Sequence, residues 1–304
     1  MLLKLVGTAM RLIILTILSL VVFICGCEKD QGSPEYVKSI KQWHEKRAAR
    51  LKTETGWLNL AGLYWLREGK NTFGSAKDND IIFPENAPAH IGTFILNDSS
   101  VSVKISPGVE VTADSQKITD MRLNDDLTDS STVLQLNQFR WFVINRNGKY
   151  GIRLRDLNAP LVKEFKGIET YPVNEKWKVE AKFEKYPSPK VIEIPNIIGS
   201  VENDTIAGRL VFRMKDVTYT LDPVSEGNEF FIIFADETNG EETYGAGRFL
   251  YTDKPDSTGM VVLDFNKAYN PPCAFTKYAT CPLPPKENYL HLKVTAGEKK
   301  YGNH

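Results

Sequence analysis

Few residues of this chain could do chemistry, and the densest set lies in its C-terminal third. Arg248, Asp264 and Glu298 are candidates for a charged cluster, with Tyr244, Asn266 and Asn270 as polar neighbours. In one reading they line a pocket for a small anionic or polar ligand, where Arg248 binds the anion and Asp264 or Glu298 acts as a base. In the other, Arg248, Asp264, Asn266 and Asn270 satisfy one another and the backbone of a proline-rich loop. Tyr244 and Arg248 fall on one face of an expected strand, about 13 Å apart at ordinary strand rise, which suits lining a pocket.

The Asn239-Gly240 dipeptide favours a two-residue type I′ turn, joining a strand over 229–236 to one over 243–251. That register sets Asp236 against Thr243 and Phe231 against Arg248. Because the run Phe230-Phe231-Ile232-Ile233-Phe234 is apolar on both faces, Arg248 is expected to be at least partly buried. A buried guanidinium needs a carboxylate or an anion, and Asp264 and Glu298 are the nearest candidates by motif.

Four cysteines are present. Cys273 and Cys281 are expected to form a disulfide in an oxidising compartment, stapling a segment stiffened by Pro271, Pro272, Pro282, Pro284 and Pro285. The alternatives are a thiolate nucleophile or a soft-metal site, though no nearby Cys or His completes a ligand set. Imidazole chemistry could come only from His44, His90, His291 or His304, and His291 between Leu290 and Leu292 is expected to face solvent. The chain has no Gly-x-Ser-x-Gly elbow, His-Glu-x-x-His pair, phosphate-binding loop or dinucleotide fingerprint. Its metal and cofactor content is therefore left unspecified.

The elements that must position these residues begin after an address. Lys4 and Arg11 precede an uncharged apolar run over 12–24, which Glu28, Lys29 and Asp30 cut short of a comfortable membrane span. This is a signal peptide over residues 1–26, and Ile24-Cys25-Gly26-Cys27 resembles the bacterial lipobox. That resemblance implies lipidation at Cys27, which becomes the first mature residue and anchors the chain to a membrane facing the periplasm or exterior. An uncleaved transmembrane anchor is the alternative.

A polar tether over 27–33 leads to an amphipathic segment over 34–55. Ser33-Pro34 starts its helix, which places Tyr36, Ile40, Trp43 and Leu51 near one face. That face is expected to dock on the rest of the protein, with contact of the basic side to lipid head groups as the other reading. From Gly56 onward, short apolar runs broken by Gly, Pro, Asn and Asp predict a mainly β fold. It is expected to comprise a β-sandwich over 56–168 and a second β-sandwich or barrel over 169–304. Lys plus Arg equals Asp plus Glu at 38 each, so no global field favours nucleic acid.

Two resemblances follow from longer segments. Gly56-Trp57-Leu58-Asn59-Leu60-Ala61-Gly62-Leu63-Tyr64-Trp65-Leu66, Thr243-Tyr244-Gly245-Ala246-Gly247-Arg248-Phe249-Leu250 and Leu263-Asp264-Phe265-Asn266-Lys267-Ala268-Tyr269-Asn270-Pro271-Pro272-Cys273-Ala274-Phe275 are the first set. With Cys281-Pro282-Leu283-Pro284-Pro285 and Ala296-Gly297-Glu298-Lys299, they resemble the bacterial family called domain of unknown function 1684, over about Glu35 to Tyr301. The resemblance implies no activity or cofactor. Phe73-Gly74-Ser75 through Asp80-Ile81-Ile82-Phe83 to Ile91-Gly92-Thr93-Phe94 is similar to the opening of a forkhead-associated sandwich. Ser75 and Ala87-Pro88 stand where that family's phosphothreonine-reading arginine and serine would be. The fold could therefore carry over without the function.

Overall fold

The computed structural model describes residues 32–302. The expected signal peptide, Cys27 and His304 lie outside them. The N-terminal helix α1 (Pro34–Leu51) is set by Ser33, whose Oγ accepts from the Tyr36 amide at 3.2 Å, and by Pro34 in the first turn. Its buried positions are Ile40 and Leu51. The helix docks by that face, and a turn closed by the Leu58 amide donating to Leu51 O leads into the β body. Among the described residues no helix is long and apolar enough to cross a membrane.

The first sandwich has a six-stranded sheet in the order β1 (Leu60–Trp65), β11 (Lys149–Asp156), β10 (Phe139–Arg146), β9 (Leu134–Leu136), β6 (Thr112–Ala113), β7 (Gln116–Lys117). Its second sheet runs β3 (Ile81–Ile82), β2 (Gly69–Gly74), β4 (Gly92–Asn97), β5 (Ser100–Ile105), β8 (Asp120–Leu123). Period-two burial along β4 and β5 sends Phe94, Leu96, Val101 and Val103 inward, against Phe73, Phe139 and Trp141. Stacking of Phe73 on Phe94, with ring centroids 4.1 Å apart, adds specific geometry to that apolar burial. The positions compared with a phosphothreonine reader hold loops together here: Ser75 Oγ donates to Ala87 O at 2.7 Å, and the Ser75 amide donates to Pro88 O.

The second β unit has one sheet ordered β14 (Val217–Leu221), β13 (Val201–Met214), β12 (Lys178–Pro195), β18 (Met260–Asp264). Its other sheet is β15 (Val224–Glu226), β16 (Glu229–Asp236), β17 (Arg248–Asp253), with β19 (Tyr289–Leu290) parallel to β16. Leu210, Phe212 and Leu263 from the first meet Phe230, Ile232, Phe234 and Leu250 from the second in one core. The protein is thus mainly β, with one long N-terminal helix, as the residue patterns predict.

The Asn239-Gly240 hairpin differs from expectation. Phe231 pairs with Tyr251, and Arg248 pairs with Phe234. Residues 237–247 form a long loop in place of a two-residue turn. Its chemistry explains why: Thr238 N and Oγ1 both donate to Asp236 Oδ1, and Asn239 Nδ2 donates to Tyr244 O at 2.5 Å. Side chains thus take up polar groups that ladder pairing would otherwise have used. The strand beside His291 is short, Tyr289–Leu290, and His291 is exposed, as expected.

Candidate functional site

Six residues were expected to share a site, and the structure divides them into two buried groups and a core position. Arg248 is wholly enclosed. Its Nη2 donates to Asp236 Oδ2 at 2.8 Å and to Val294 O at 2.9 Å, and Nη1 donates to Ala296 O at 2.5 Å. The carboxylate that burial demanded is therefore Asp236, on the adjoining strand, and neither Asp264 nor Glu298. Register explains the correction: with Arg248 opposite Phe234, Asp236 lies two residues further along the same strand and comes within reach. Tyr244 does not share a pocket with Arg248; it packs with Leu51, Leu58, Phe165 and Phe275.

Asp264, Asn266, Asn270 and Glu298 instead receive α1. Tyr36 hydroxyl donates to Asp264 Oδ1 at 2.9 Å, and Asn266 Nδ2 donates to the Tyr36 oxygen at 2.9 Å. Near the helix centre, His44 Nε2 lies 2.8 Å from Asn266 O; a carbonyl only accepts, so Nε2 carries the proton. Arg47 Nη2 donates to Asn270 O at 2.8 Å, and its Nε lies 3.1 Å from Glu298 Oε1 without being aligned for a hydrogen bond. Glu298 Oε2 accepts from the Asn270 amide at 2.7 Å. Burial pushes the Glu298 carboxyl up from its ordinary range, against the pull of Arg47. Burial likewise holds His44 below its ordinary 6.5, and Arg47 adds to that effect. Residue types alone pointed to this polar cluster, but only the fold shows that a helix some 220 positions away completes it.

Open space lies beside this network. A cleft of about 1060 Å³ runs between the C-terminal half of α1, the 53–57 turn, the β15–β16 turn and β17. Trp43, Trp57, Phe231, Phe249, Tyr251 and Tyr269 supply its aromatic surface. Phe231 and Tyr251 are cross-strand partners whose rings stack at 4.8 Å, and Tyr269 lies nearly parallel to Tyr251 at 6.4 Å. The Arg47 guanidinium caps the Tyr269 face at 4.3 Å from the ring centroid. Polar groups at the rim are Arg50, Thr53, Thr55, Glu226, Asn228 and Glu229, and Tyr251 hydroxyl donates to Glu226 Oε2 at 2.7 Å. None of the six residues expected to form the site lines this cleft. Two signals in the sequence could have found it: Trp43 and Arg47 one helical turn apart, and Phe249 and Tyr251 alternating on a strand.

Cys273 and Cys281 form a disulfide with Cα atoms 6.1 Å apart, and Pro272 beside it borders the cleft. The stapled loop also reaches the first sandwich. Thr280 Oγ1 accepts from Arg153 Nη2 at 3.1 Å and from Arg146 Nε at 3.3 Å. Arg153 lies behind Trp57, 5.6 Å from its ring, and burial, with Arg146 close by, lowers its pKa to about 10. Among the described residues no group of three or more His, Cys, Asp and Glu is placed to hold a metal ion.

A family model described as Protein of unknown function (DUF1684) matches residues 163–299. No curated protein matches the sequence. Among solved structures, the solution NMR structure of an uncharacterized protein of Haloarcula marismortui is 28% identical, over 47% of this chain and 80% of its own, with a TM-score of 0.39. The FhaA FHA domain, solved with the intracellular domain of Rv3910, is 16% identical over 31% of this chain and 97% of its own, with a TM-score of 0.22. A structure from work on phosphothreonine-dependent FHA domain interactions gives the same identity, TM-score and share of this chain, and 92% of its own.

Proposed function

We propose that this chain, whose residues 163–299 match a family model of unknown function, is an exported lipoprotein that binds a small polar or anionic ligand in this cleft. The observation that carries this reading is the cleft itself. A volume of about 1060 Å³ sits at the upper end of small-molecule pockets, and its wall combines six aromatic side chains with a few polar groups. Location rests on the leader over residues 1–26 and on Cys27, whose acyl chains would hold the protein at a membrane of the cell envelope. A tether of about six residues would keep Pro34 within roughly 20 Å of the lipid.

A second reading, a hydrolase that uses the carboxylate and arginine cluster with or without a metal, needs Arg248, Asp264 and Glu298 to face a substrate, and all three are enclosed and bonded to protein groups. Binding is the better-supported reading. Its test is native mass spectrometry of the full chain purified from its own source, beside Tyr251→Ala. A small molecule that travels with the first and is lost from the second is the expected result. An empty protein whose melting temperature responds to no small molecule would count against it.

A further inference from the structure

We infer that the cleft's ligand is a neutral, hydroxyl-rich saccharide; this rests on the ligand-binding reading above and narrows it. Charge is the first argument. The lining carries Arg47 and Arg50 against Glu226 and Glu229, so its formal charges cancel. Arg47 is moreover engaged by Glu298 from behind, which leaves Arg50 as the accessible cation beside two carboxylates. An anion entering the cleft would meet Glu226 and Glu229. A cation seeking the aromatic faces would find the Tyr269 face already taken by a guanidinium, with Arg50 nearby. Both signs of ligand charge are disfavoured by groups that are present.

Surface chemistry is the second argument. A purely apolar ligand would strip water from Arg50, Glu226, Asn228 and Glu229 and give them no partner, at a cost in free energy for each. Hydroxyl groups both donate and accept, so a polyol can satisfy carboxylate, amide and guanidinium groups together. Glu226 and Glu229 are cross-strand partners either side of the Gly227-Asn228 turn, which sets two acceptors side by side at spacing suited to neighbouring hydroxyls. Sugar rings also present apolar C–H faces, and Trp43, Trp57, Phe231 and Tyr251 offer aromatic surface against which they can lie. At about 1060 Å³ the cleft is larger than one ring needs, which suits several linked sugar units.

The test uses the detergent-extracted full chain, with tryptophan fluorescence as the readout because Trp43 and Trp57 line the cleft. Probes are short neutral oligomers of glucose and of N-acetylglucosamine, a galacturonate oligomer, and tetramethylammonium. The neutral oligomers should bind saturably and with little dependence on salt. Tyr251→Ala should weaken them at least about tenfold and Tyr251→Phe, which keeps the ring, much less. Unchanged thermal melting of these variants keeps loss of binding apart from loss of fold. Tight, salt-sensitive binding of the galacturonate, or binding of tetramethylammonium, would overturn the saccharide class and leave the cleft as a binding site. Failure of every neutral oligomer, with a different molecule co-purifying and lost in Tyr251→Ala, would do the same. If no probe binds and nothing co-purifies, the ligand-binding reading falls, and the saccharide with it.

Discussion

Arg248 and Asp236 form a side-chain ion pair at 2.8 Å in which neither side chain has any exposed surface. The guanidinium also serves three carbonyls, those of Val294, Ala296 and Glu298, so it ties β16 and β17 to the C-terminal segment. Removing one partner leaves a buried charge uncompensated, which costs about 3–5 kcal/mol. Arg248→Met and Asp236→Asn should each lower urea stability by that amount, and the double variant by less than their sum. Arg248→Lys should recover little, because one ammonium with three donors cannot span a carboxylate and three carbonyls. Additive losses in the double-variant cycle would show that the pair is not coupled.

His44 gives the helix contact a pH dependence. Its folded pKa lies below 6.5, so the neutral ring is the form that docks. A depressed pKa contributes stability that is present above the unfolded value and lost as pH falls through the folded one. Glu298 acts in the opposite sense: its raised pKa contributes stability present below the ordinary carboxylate value and lost as pH rises. Subtracting His44→Gln from the unaltered protein isolates the histidine. The advantage of the unaltered chain should grow from about pH 5 to about pH 7, read by urea titration at each pH. A difference flat across that window would mean His44 titrates as it does unfolded.

Much of this fold was legible because one-face burial writes itself into a sequence. Val101, Val103 and Ile105 alternate with Ser100, Ser102 and Lys104 along β5, and Ser33-Pro34 marks the helix start. The burial of Arg248 was legible for the same reason, since both faces of β16 are apolar. Its partner was not. The turn dipeptide implied one register, whereas Asp236, Thr238 and Asn239 bond locally and lengthen the loop. Contacts across more than 200 positions, such as Tyr36 to Asp264, leave no periodic trace. The aromatic cleft is similarly assembled from four separated segments, each reading by itself as ordinary core.

The disulfide encloses a short loop that contacts both β units. Cross-linking so few residues limits the unfolded chain by about 2–3 kcal/mol. Cys273→Ser with Cys281→Ser should destabilise by that amount, measured by chemical denaturation without reductant. The loss should be accompanied by faster amide exchange around Thr280, where Arg146 and Arg153 converge. Exchange confined to the loop, with Arg146 and Arg153 protected as before, would show that the loop does not join the two units.

Gly297 allows Ala296 and Glu298 to be placed as they are. Its φ of +76° is in the left-handed region, and an added Cβ would lie 2.3 Å from Ala268 O and 2.8 Å from Phe265 O. Both obstacles are backbone, so neither can rotate away. Gly297→Ala should therefore exceed the roughly 1 kcal/mol typical of a strained φ alone and reach several kcal/mol. Thermal unfolding measures it; a loss under about 1 kcal/mol would mean the segment shifts freely.

Arg47 joins the docking network to the cleft, so its removal should act on both. Arg47→Met keeps most of the apolar stem but leaves Glu298 buried without its ion-pair partner, at a cost of about 3–5 kcal/mol near neutral pH. The charge of Arg47 lowers the Glu298 pKa, so its loss raises that pKa further above the unfolded value. By linkage, stability held by a raised pKa is present at low pH and lost as pH rises, so the penalty of Arg47→Met should shrink as pH falls into the carboxylate range. Glu298→Gln in the Arg47→Met background removes the unpaired charge and should restore part of the loss near neutral pH, and little at low pH, where the carboxyl is already protonated. A penalty that does not change with pH would assign Arg47 to packing on Tyr269, where its guanidinium sits 4.3 Å from the ring centroid, and not to charge compensation.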